Sequence, residues 1–377
     1  MDTQNTDPKA AADAAWSRPA GSARSGGGLP LLFWNDITTA SPSDRLVRRL
    51  IGENTLALII GEPGCGKSFL ATTIGIHVAS GEPWFGRPVL QGAALYIAAE
   101  GAPGLKNRAL AYRKVHNPPD RMPFVIVPAT VNLGPSGEGA EQIIAAAAEV
   151  ARETGCTVRL IIIDTLARAN VNGDENDTRD MSRFIAACDR IRDATGATVL
   201  IVHHTAKAGG SRGSVALPGA VETIIAVEKR EGGRVAKIVK QKDGADGEEI
   251  GFTLDVVEIG QDEDGEPITS CVVRPTVEIP KRSPKLTDLQ KRAVDALHNL
   301  LIERGQPAPE GVTFPRVTLV KIDAFREHLK AVAVTDRDTP ATERQQWKRL
   351  LQSLGNAGVL VVRGDWCWST VTGRDKP

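Results

Sequence analysis

The sequence has no apolar run long enough to cross a membrane, since a membrane-spanning helix needs roughly 18 or more consecutive apolar residues. The segment from Met1 to Gly28 is rich in Ala, Ser and Gly, and it lacks the apolar centre of a signal peptide. We therefore expect a cytoplasmic protein that does not bind membranes, with residues 1–28 as a disordered tail.

Cysteine is also scarce, with five residues scattered along the chain without paired spacing. Structural zinc sites and disulfide frameworks need cysteines at characteristic separations, so neither is expected here. One cysteine, Cys65, lies at a variable position of the glycine-rich stretch described below. Its thiol could make that stretch sensitive to oxidation.

The chain has no net charge, because 46 basic residues balance 46 acidic ones, but the two signs are unevenly distributed. From Lys281 to the C-terminus there are 17 Lys and Arg against 11 Asp and Glu, so the rest of the chain is acidic by the same margin. A basic module on an acidic body indicates nucleic acid as a partner of the C-terminal part. A solvated surface would show the same surplus.

The most informative stretch runs from Gly61 to Ser68 and matches G-x-x-x-x-G-K-[ST] at every fixed position. The apolar run Leu56–Ile60 before it predicts a buried strand, and Phe69–Val78 after it predicts a helix. In that context the glycines let backbone N–H groups surround a phosphate chain at the positive end of a helix. The predicted binding residues for ATP are Gly61, Glu62, Pro63, Gly64, Cys65, Gly66, Lys67, Ser68 and Phe69.

Within this phosphate loop, Lys67 is expected to contact the β- and γ-phosphates, and Ser68 is expected to bind Mg²⁺. The run Leu160–Ile163 predicts a buried strand that ends in Asp164, which would supply a second Mg²⁺ ligand. A buried strand that ends in Asp is common by chance, so Asp164 alone is moderate evidence for a Mg²⁺ site. Together with the phosphate loop it becomes strong evidence.

Two further predicted strands end in polar residues, at the sheet edge where α/β proteins carry their sites. Ala93–Ala99 is followed by Glu100, our candidate for polarising the attacking water, although it could be a surface residue in a turn. Thr198–Val202 is followed by a His pair, of which His204 is the candidate sensor of the γ-phosphate. The alternative is a pair of histidines bonded to the backbone.

Two loops follow these strands. The polar segment Asn170–Asp180 has no apolar period, so it predicts a mobile loop, and its acidic charge would repel nucleic acid. The glycine-rich segment Lys207–Ser214 contains Lys207 and Arg212, which are predicted to contact DNA phosphates. A plain flexible turn is the alternative for the second loop.

The pattern changes after residue 278. Residues 279–285 are bounded by prolines and predict a linker. The remaining chain predicts helices over Leu286–Arg304, Lys321–Lys330 and Thr342–Leu354, followed by a β-hairpin that ends near Trp368. Three helices and a hairpin are the arrangement of a winged helix, so we predict such a domain over residues 286–377.

Several short motifs appear in a fixed order along the chain: Tyr96–Gly101 (YIAAEG), Ile161–Thr165 (IIIDT), Val202–Thr205 (VHHT), Arg212–Ser214 (RGS) and Ala220–Glu222 (AVE). Together with the phosphate loop they resemble the RecA-like ATPases of the plasmid RepA helicase type, which are common on plasmids and prophages. The resemblance covers about Leu32–Arg274. It implies an α/β fold with a RecA-like P-loop NTPase core and a mainly parallel sheet, here residues 29–278. It also implies a hexameric ring with ATP sites at subunit interfaces and a catalytic carboxylate at Glu100.

The segment Lys240–Gly244 resembles one that, in related replicative helicases, offers a Lys and an Arg to the neighbouring subunit's γ-phosphate. Here the arginine position is Lys242, a point charge without a guanidinium fork. The resemblance therefore implies Lys240 and Lys242 as trans-acting residues, or Arg234 in their place. A solvated strand end would explain the two lysines equally simply.

The leading interpretation is an ATP-driven motor, a replicative helicase that acts on single-stranded DNA in plasmid or phage replication, as a homo-hexamer using ATP and Mg²⁺. Duplex DNA is a candidate partner for the C-terminal domain. The main alternative is an ATPase switch that loads or regulates DNA-bound proteins without moving along DNA. A small-molecule kinase is disfavoured, because neither an arginine-rich lid nor an acceptor site is evident.

Overall fold

The computed structural model describes residues 24–26, 29–31, 45–135, 138–205, 215–242, 244–280, 286–307, 317–332 and 340–370. The chain divides into two compact units, Met1–Pro280 and Lys281–Pro377. Within the described residues, no helix has the length and apolar character that crossing a membrane requires.

The predicted tail, residues 1–28, lies outside the described residues except for one short strand. Arg24–Gly26 (β1) pairs antiparallel with Leu29–Leu31 (β2). Backbone pairing with the adjacent segment supplies the hydrogen bonds that the sequence pattern did not indicate.

The first unit is built on a nine-stranded sheet. Its strands are β3 (Leu56–Gly61), β4 (Ala93–Ala98), β5 (Phe124–Val127), β6 (Val158–Asp164), β7 (Thr198–His204), β8 (Thr223–Arg230), β9 (Gly233–Gln241), β10 (Glu249–Gln261) and β11 (Pro267–Pro275). Their spatial order is β5-β4-β6-β7-β3-β8-β9-β10-β11. Neighbours from β5 to β8 are parallel, and those from β8 to β11 are antiparallel. The predicted α/β class with a mainly parallel sheet is therefore confirmed.

Helices cover both faces of the parallel part. In chain order they are α1 (Lys67–Ser80), α2 (Ala102–His116), α3 (Gly139–Thr154), α4 (Leu166–Ala169), α5 (Thr178–Thr195) and α6 (Ala216–Ala220). Along β6, Leu160 and Ile162 belong to the core under α1, whereas Ile161 and Ile163 belong to the core under α3 and α5. Strands that are buried on both faces are aliphatic throughout, which is why these runs could be recognised in the sequence.

The segment Asn170–Asp180, predicted to be a mobile loop, is helical at its end. Helix α5 begins at Thr178, and the Asp177 side chain accepts a hydrogen bond from the Asp180 backbone N–H. An aspartate at this N-cap position satisfies an N–H group of the first turn, so the helix begins three residues earlier than its apolar pattern suggests.

The antiparallel strands β9 to β11 extend the sheet towards the start of α1. Strand β11 packs against both α1 and α2, and the Lys114 side chain of α2 donates to the Glu258 carbonyl oxygen of β10 at 2.7 Å. On the same surface, Arg108 lies over the Phe69 ring at 4.5 Å from its centroid. We call β9, β10 and β11 the antiparallel extension; its packing brings it close to the phosphate loop.

The second unit contains, among its described residues, α7 (Asp288–Arg304), β12 (Val320–Lys321), α8 (Ile322–Ala331), α9 (Pro340–Asn356), β13 (Leu360–Arg363) and β14 (Trp366–Ser369). Its strands form a small antiparallel sheet in the order β12-β14-β13. Leu297, Phe325, Leu354 and Cys367 are buried in its separate core. The three predicted helices and the hairpin are present, and β12 adds a third strand that was not predicted.

Candidate functional site

The phosphate loop connects β3 to α1 through a backbone that only glycine accommodates well. Gly64 and Gly66 have φ values of +74° and +106°, conformations that L-residues with side chains rarely adopt. A Cβ atom at Gly61 would lie 2.3 Å from the Val227 carbonyl oxygen of the neighbouring strand β8. Residues 62–64 are exposed, so the outer side of the loop is open to a ligand.

Lys67 is the first residue of α1 and is only 3% exposed. Its Nζ donates to the carbonyl oxygens of Gly61 and Glu62, both at 2.9 Å, and lies 3.0 Å from His204 Nδ1. Burial lowers the pKa of Lys67. The pKa of His204 is lowered first by burial and then by the positive charge of Lys67. His204 therefore accepts the lysine's hydrogen bond as a neutral imidazole, which ties the end of β7 to the loop.

Asp164 ends β6 and is also buried, with 4% of its surface exposed. Its Oδ2 accepts a hydrogen bond of 2.6 Å from the Tyr96 hydroxyl, while its Oδ1 is buried and has no hydrogen-bond partner among the described residues. Burial raises the pKa of Tyr96 well above its usual range, so the phenol remains a donor. The unpartnered oxygen is suited to a cation or its bound water, because a buried carboxylate oxygen without a partner is unfavourable.

Ser68 and Asp164 fit the requirements for Mg²⁺ at a phosphate loop. Among the described residues, no group of three or more His, Cys, Asp or Glu side chains could hold a metal ion. Magnesium at such loops needs fewer protein ligands than that. One hydroxyl and one carboxylate suffice when phosphate oxygens and water complete the coordination shell. When bound there, the ion would neutralise charge on the phosphates.

Glu100 lies beyond the end of β4, next to the residues that follow Asp164. Its Oε2 accepts a hydrogen bond of 3.5 Å from Thr165 Oγ1 and lies 3.8 Å from Arg168 Nε. Glu100 is exposed, so water has access to its carboxylate. Asp164 and His204 end the parallel strands β6 and β7, and Glu100 follows β4, so all three groups lie at one edge of the sheet. The negative charges of Glu100 and Asp164 both oppose the lowering of the His204 pKa.

Residues 28–210 match the family model of an AAA domain. The matched stretch includes the phosphate loop, Glu100, Asp164 and His204. A solved ATPase domain is 12% identical to this chain with a TM-score of 0.41, covering 53% of this chain and 82% of that one. A KaiC-like protein from the hyperthermophilic archaeon Pyrococcus horikoshii OT3 is 15% identical with a TM-score of 0.38, covering 62% of this chain and 97% of that one. No curated protein matches the chain.

Tyr96 is the site residue that the sequence did not indicate. It belongs to β4 and meets Asp164 across the pair β4–β6, 68 residues away in the chain. Both strands could be recognised, but the pattern does not show which of their side chains meet. A tyrosine that interrupts a fully buried aliphatic strand was the available signal, since a buried phenol usually has a hydrogen-bond partner.

Lys240, Lys242 and Arg234 lie beyond the residues that match the AAA domain. Lys240 donates to the carbonyl oxygens of Pro218 at 2.7 Å and Gly219 at 3.3 Å, near the end of α6 in its own chain. Lys242 is exposed. Arg234 is half-buried beside Gly66 of its own phosphate loop. The predicted DNA-contacting residues Lys207 and Arg212 lie outside the described residues.

Proposed function

We propose that the AAA domain hydrolyses ATP with four residues that follow β3 or lie at the ends of β4 and β6. Lys67 would contact the β- and γ-phosphates, Asp164 would hold Mg²⁺ with Ser68, and Glu100 would orient and deprotonate the attacking water. The observation that carries this proposal is the convergence of a buried lysine, a buried carboxylate with one unpartnered oxygen, and an exposed glutamate. Phosphoryl transfer needs these elements and little covalent chemistry.

We further propose that hydrolysis drives movement along single-stranded DNA, as in a replicative helicase. Support comes from the end of β7, where the Thr205 backbone N–H donates to the Gly61 carbonyl oxygen at 3.1 Å and His204 contacts Lys67. The segment with Lys207 and Arg212 follows directly in the chain. A change at the γ-phosphate would thus reach this basic segment through one short stretch of backbone.

If this coupling exists, single-stranded DNA should raise the ATPase rate severalfold. Steady-state phosphate release, measured with and without an unstructured oligonucleotide, tests it, and a mass measurement with nucleotide tests the proposed homo-hexamer. A forked duplex then separates the alternatives, because a motor unwinds it and a switch that loads or regulates DNA-bound proteins does not. An ATPase rate that does not change with DNA would contradict the proposed motor.

The exposed Lys242 remains our candidate for completing a neighbour's ATP site.

For the second unit we propose a winged-helix fold whose helix α9 binds duplex DNA. Support comes from the element order and from the exposed face of α9, which carries three cations, two amides and no carboxylate: Arg344, Gln345, Lys348, Arg349 and Gln352. These residues recur at helical spacing, whereas Leu350 and Leu354 face the core. Arg and Gln are the side chains that pair bidentately with guanine and adenine edges.

Replacing Arg344, Lys348 and Arg349 together by Ala in the full chain should weaken duplex binding about tenfold or more at low salt. The slope of log affinity against log salt should also fall by about 2–3, since each lost phosphate contact removes roughly 0.9. Fluorescence anisotropy with a labelled duplex measures both quantities. The control removes three cations of α7 instead (Lys291, Arg292 and Arg304) and should retain the parent slope. Equal slopes in all three proteins would favour a domain that binds protein.

A further inference from the structure

Arg234 of β9 lies against the phosphate loop of its own subunit. In the register of the sheet it stands opposite Lys229 of β8 and Phe252 of β10. A Cβ atom at Gly66 would lie 2.9 Å from Arg234 Cδ and 3.2 Å from its Nε. The side chain of Arg234 therefore packs on the loop backbone at the residue before Lys67, where the absence of a Cβ atom lets it approach this closely.

The guanidinium group of Arg234 has no counter-ion in the described part of the chain. No hydrogen bond or ion pair joins it to a described residue, and its Nε is buried without a partner. The thiols of Cys271 and Cys65 lie close enough to affect its pKa, and burial raises the pKa of the Cys65 thiol, so that thiol is neutral. Burial lowers the pKa of Arg234, but a guanidinium starts high enough to remain charged at neutral pH.

A neighbouring arginine on the paired strand β8 shows how a guanidinium with a structural role is held by a carboxylate. Arg230 of β8 has a side chain that is only 7% exposed, and it binds both carboxylate oxygens of Glu249 at 2.7 and 2.8 Å. Buried charge is unfavourable unless it is paired in this way. Arg234 lacks such a carboxylate and lies beside the loop that binds a polyanion. Its Nε is buried without a partner, while its terminal nitrogens remain accessible to an anion held by the loop.

We propose that Arg234 binds the phosphates of the ATP held by its own phosphate loop. The inference rests on the proposed ATP site and changes its composition, since β9 lies outside the residues that match the AAA domain. It also gives the antiparallel extension a role, because the packing of β11 on α1 and α2 holds β9 beside the loop. Arg234 then acts on the ATP of its own subunit. The role of contacting a neighbouring subunit's γ-phosphate would belong to Lys242 or to another residue.

Equilibrium binding tests the contact directly. We expect Arg234→Ala to bind ATP carrying a fluorescent group on the ribose about tenfold or more weakly than the parent protein, with Arg234→Lys intermediate. Competition by unlabelled adenosine, which has no phosphates, should be unchanged. Lys229→Ala is the matched control, since Lys229 is an exposed cation opposite Arg234 in the sheet, and it should bind like the parent.

A merely structural role is distinguished by thermal unfolding. Removal of an unpaired, half-buried charge should leave the melting temperature without nucleotide unchanged or raised, while the increase caused by ATP should shrink in Arg234→Ala. A variant with parental ATP affinity would overturn the inference and leave the proposed function intact. A parent protein that fails to bind the labelled ATP would overturn both.

Mixing of subunits separates a contact within a subunit from one between subunits. Arg234→Ala and Lys67→Ala proteins are combined, and fluorescence energy transfer between labelled subunits verifies their exchange. If Arg234 acts on its own loop, every site lacks either Arg234 or Lys67, and no ATPase activity returns. If Arg234 acts on a neighbour, some sites regain both residues, and recovered ATPase activity would refute the proposal.

Discussion

Lys67→Ala is expected to reduce ATP hydrolysis by roughly 10²–10³-fold or more, the typical cost of removing a preorganised charge from a developing oxyanion. In the structure, the Lys67 ammonium is buried and bonded to two loop carbonyl oxygens and to His204. It is therefore fixed at the loop before nucleotide arrives. The measurement is steady-state phosphate release at saturating Mg²⁺ and ATP.

The control for this variant is Lys229→Ala, which removes an exposed lysine of β8 and should hydrolyse ATP at the parent rate. Circular dichroism verifies that both variants fold. A folded Lys67→Ala protein with near-parental activity would refute the phosphate-loop assignment, and with it the roles of Ser68 and Asp164.

Those parts of the site that depend on the order of residues along the chain could be predicted from the sequence. The loop, its lysine and the carboxylate after an aliphatic strand are local features, and parallel strands bring their carboxyl ends to one edge. The prediction failed where a contact depends on how distant strands pair. Tyr96 meets Asp164 because β4 and β6 are neighbours, which the apolar runs alone do not establish.

Two larger features were missed for related reasons. Helix α2 begins at Ala102 and has Pro103 and Gly104 in its first turn, residues that suggest a turn rather than a helix. Few of its side chains are buried, so no apolar period marks it. Proline in the first turn is nevertheless compatible with a helix start. The position of Arg234 beside Gly66 depends on the antiparallel extension, whose packing on α1 and α2 leaves no local pattern in the sequence.

Glu100→Gln should separate nucleotide binding from chemistry. The substitution keeps the size and hydrogen-bonding capacity of the side chain but removes its ability to take a proton. We expect kcat to fall by about 10²-fold or more, as loss of a general base typically does. Affinity for ATP should be retained, because the carboxylate lies beside Thr165 and Arg168 rather than in the loop. Rapid-quench kinetics and equilibrium binding of labelled ATP measure the two quantities.

Asp164→Asn provides the contrast, since it changes the proposed Mg²⁺ ligand. Its defect should appear in the Mg²⁺ dependence of ATP binding, while Glu100→Gln should bind Mg²⁺ and ATP as the parent does. Glu82→Gln, an exposed glutamate just beyond the end of α1, should change neither quantity. If Glu100→Gln hydrolyses ATP at the parent rate, Glu100 is not the general base. Asp164 could not take over that role, because its Oδ2 already accepts a hydrogen bond from Tyr96 and its Oδ1 would bind the ion. A second carboxylate at the same sheet edge would then have to act as the base.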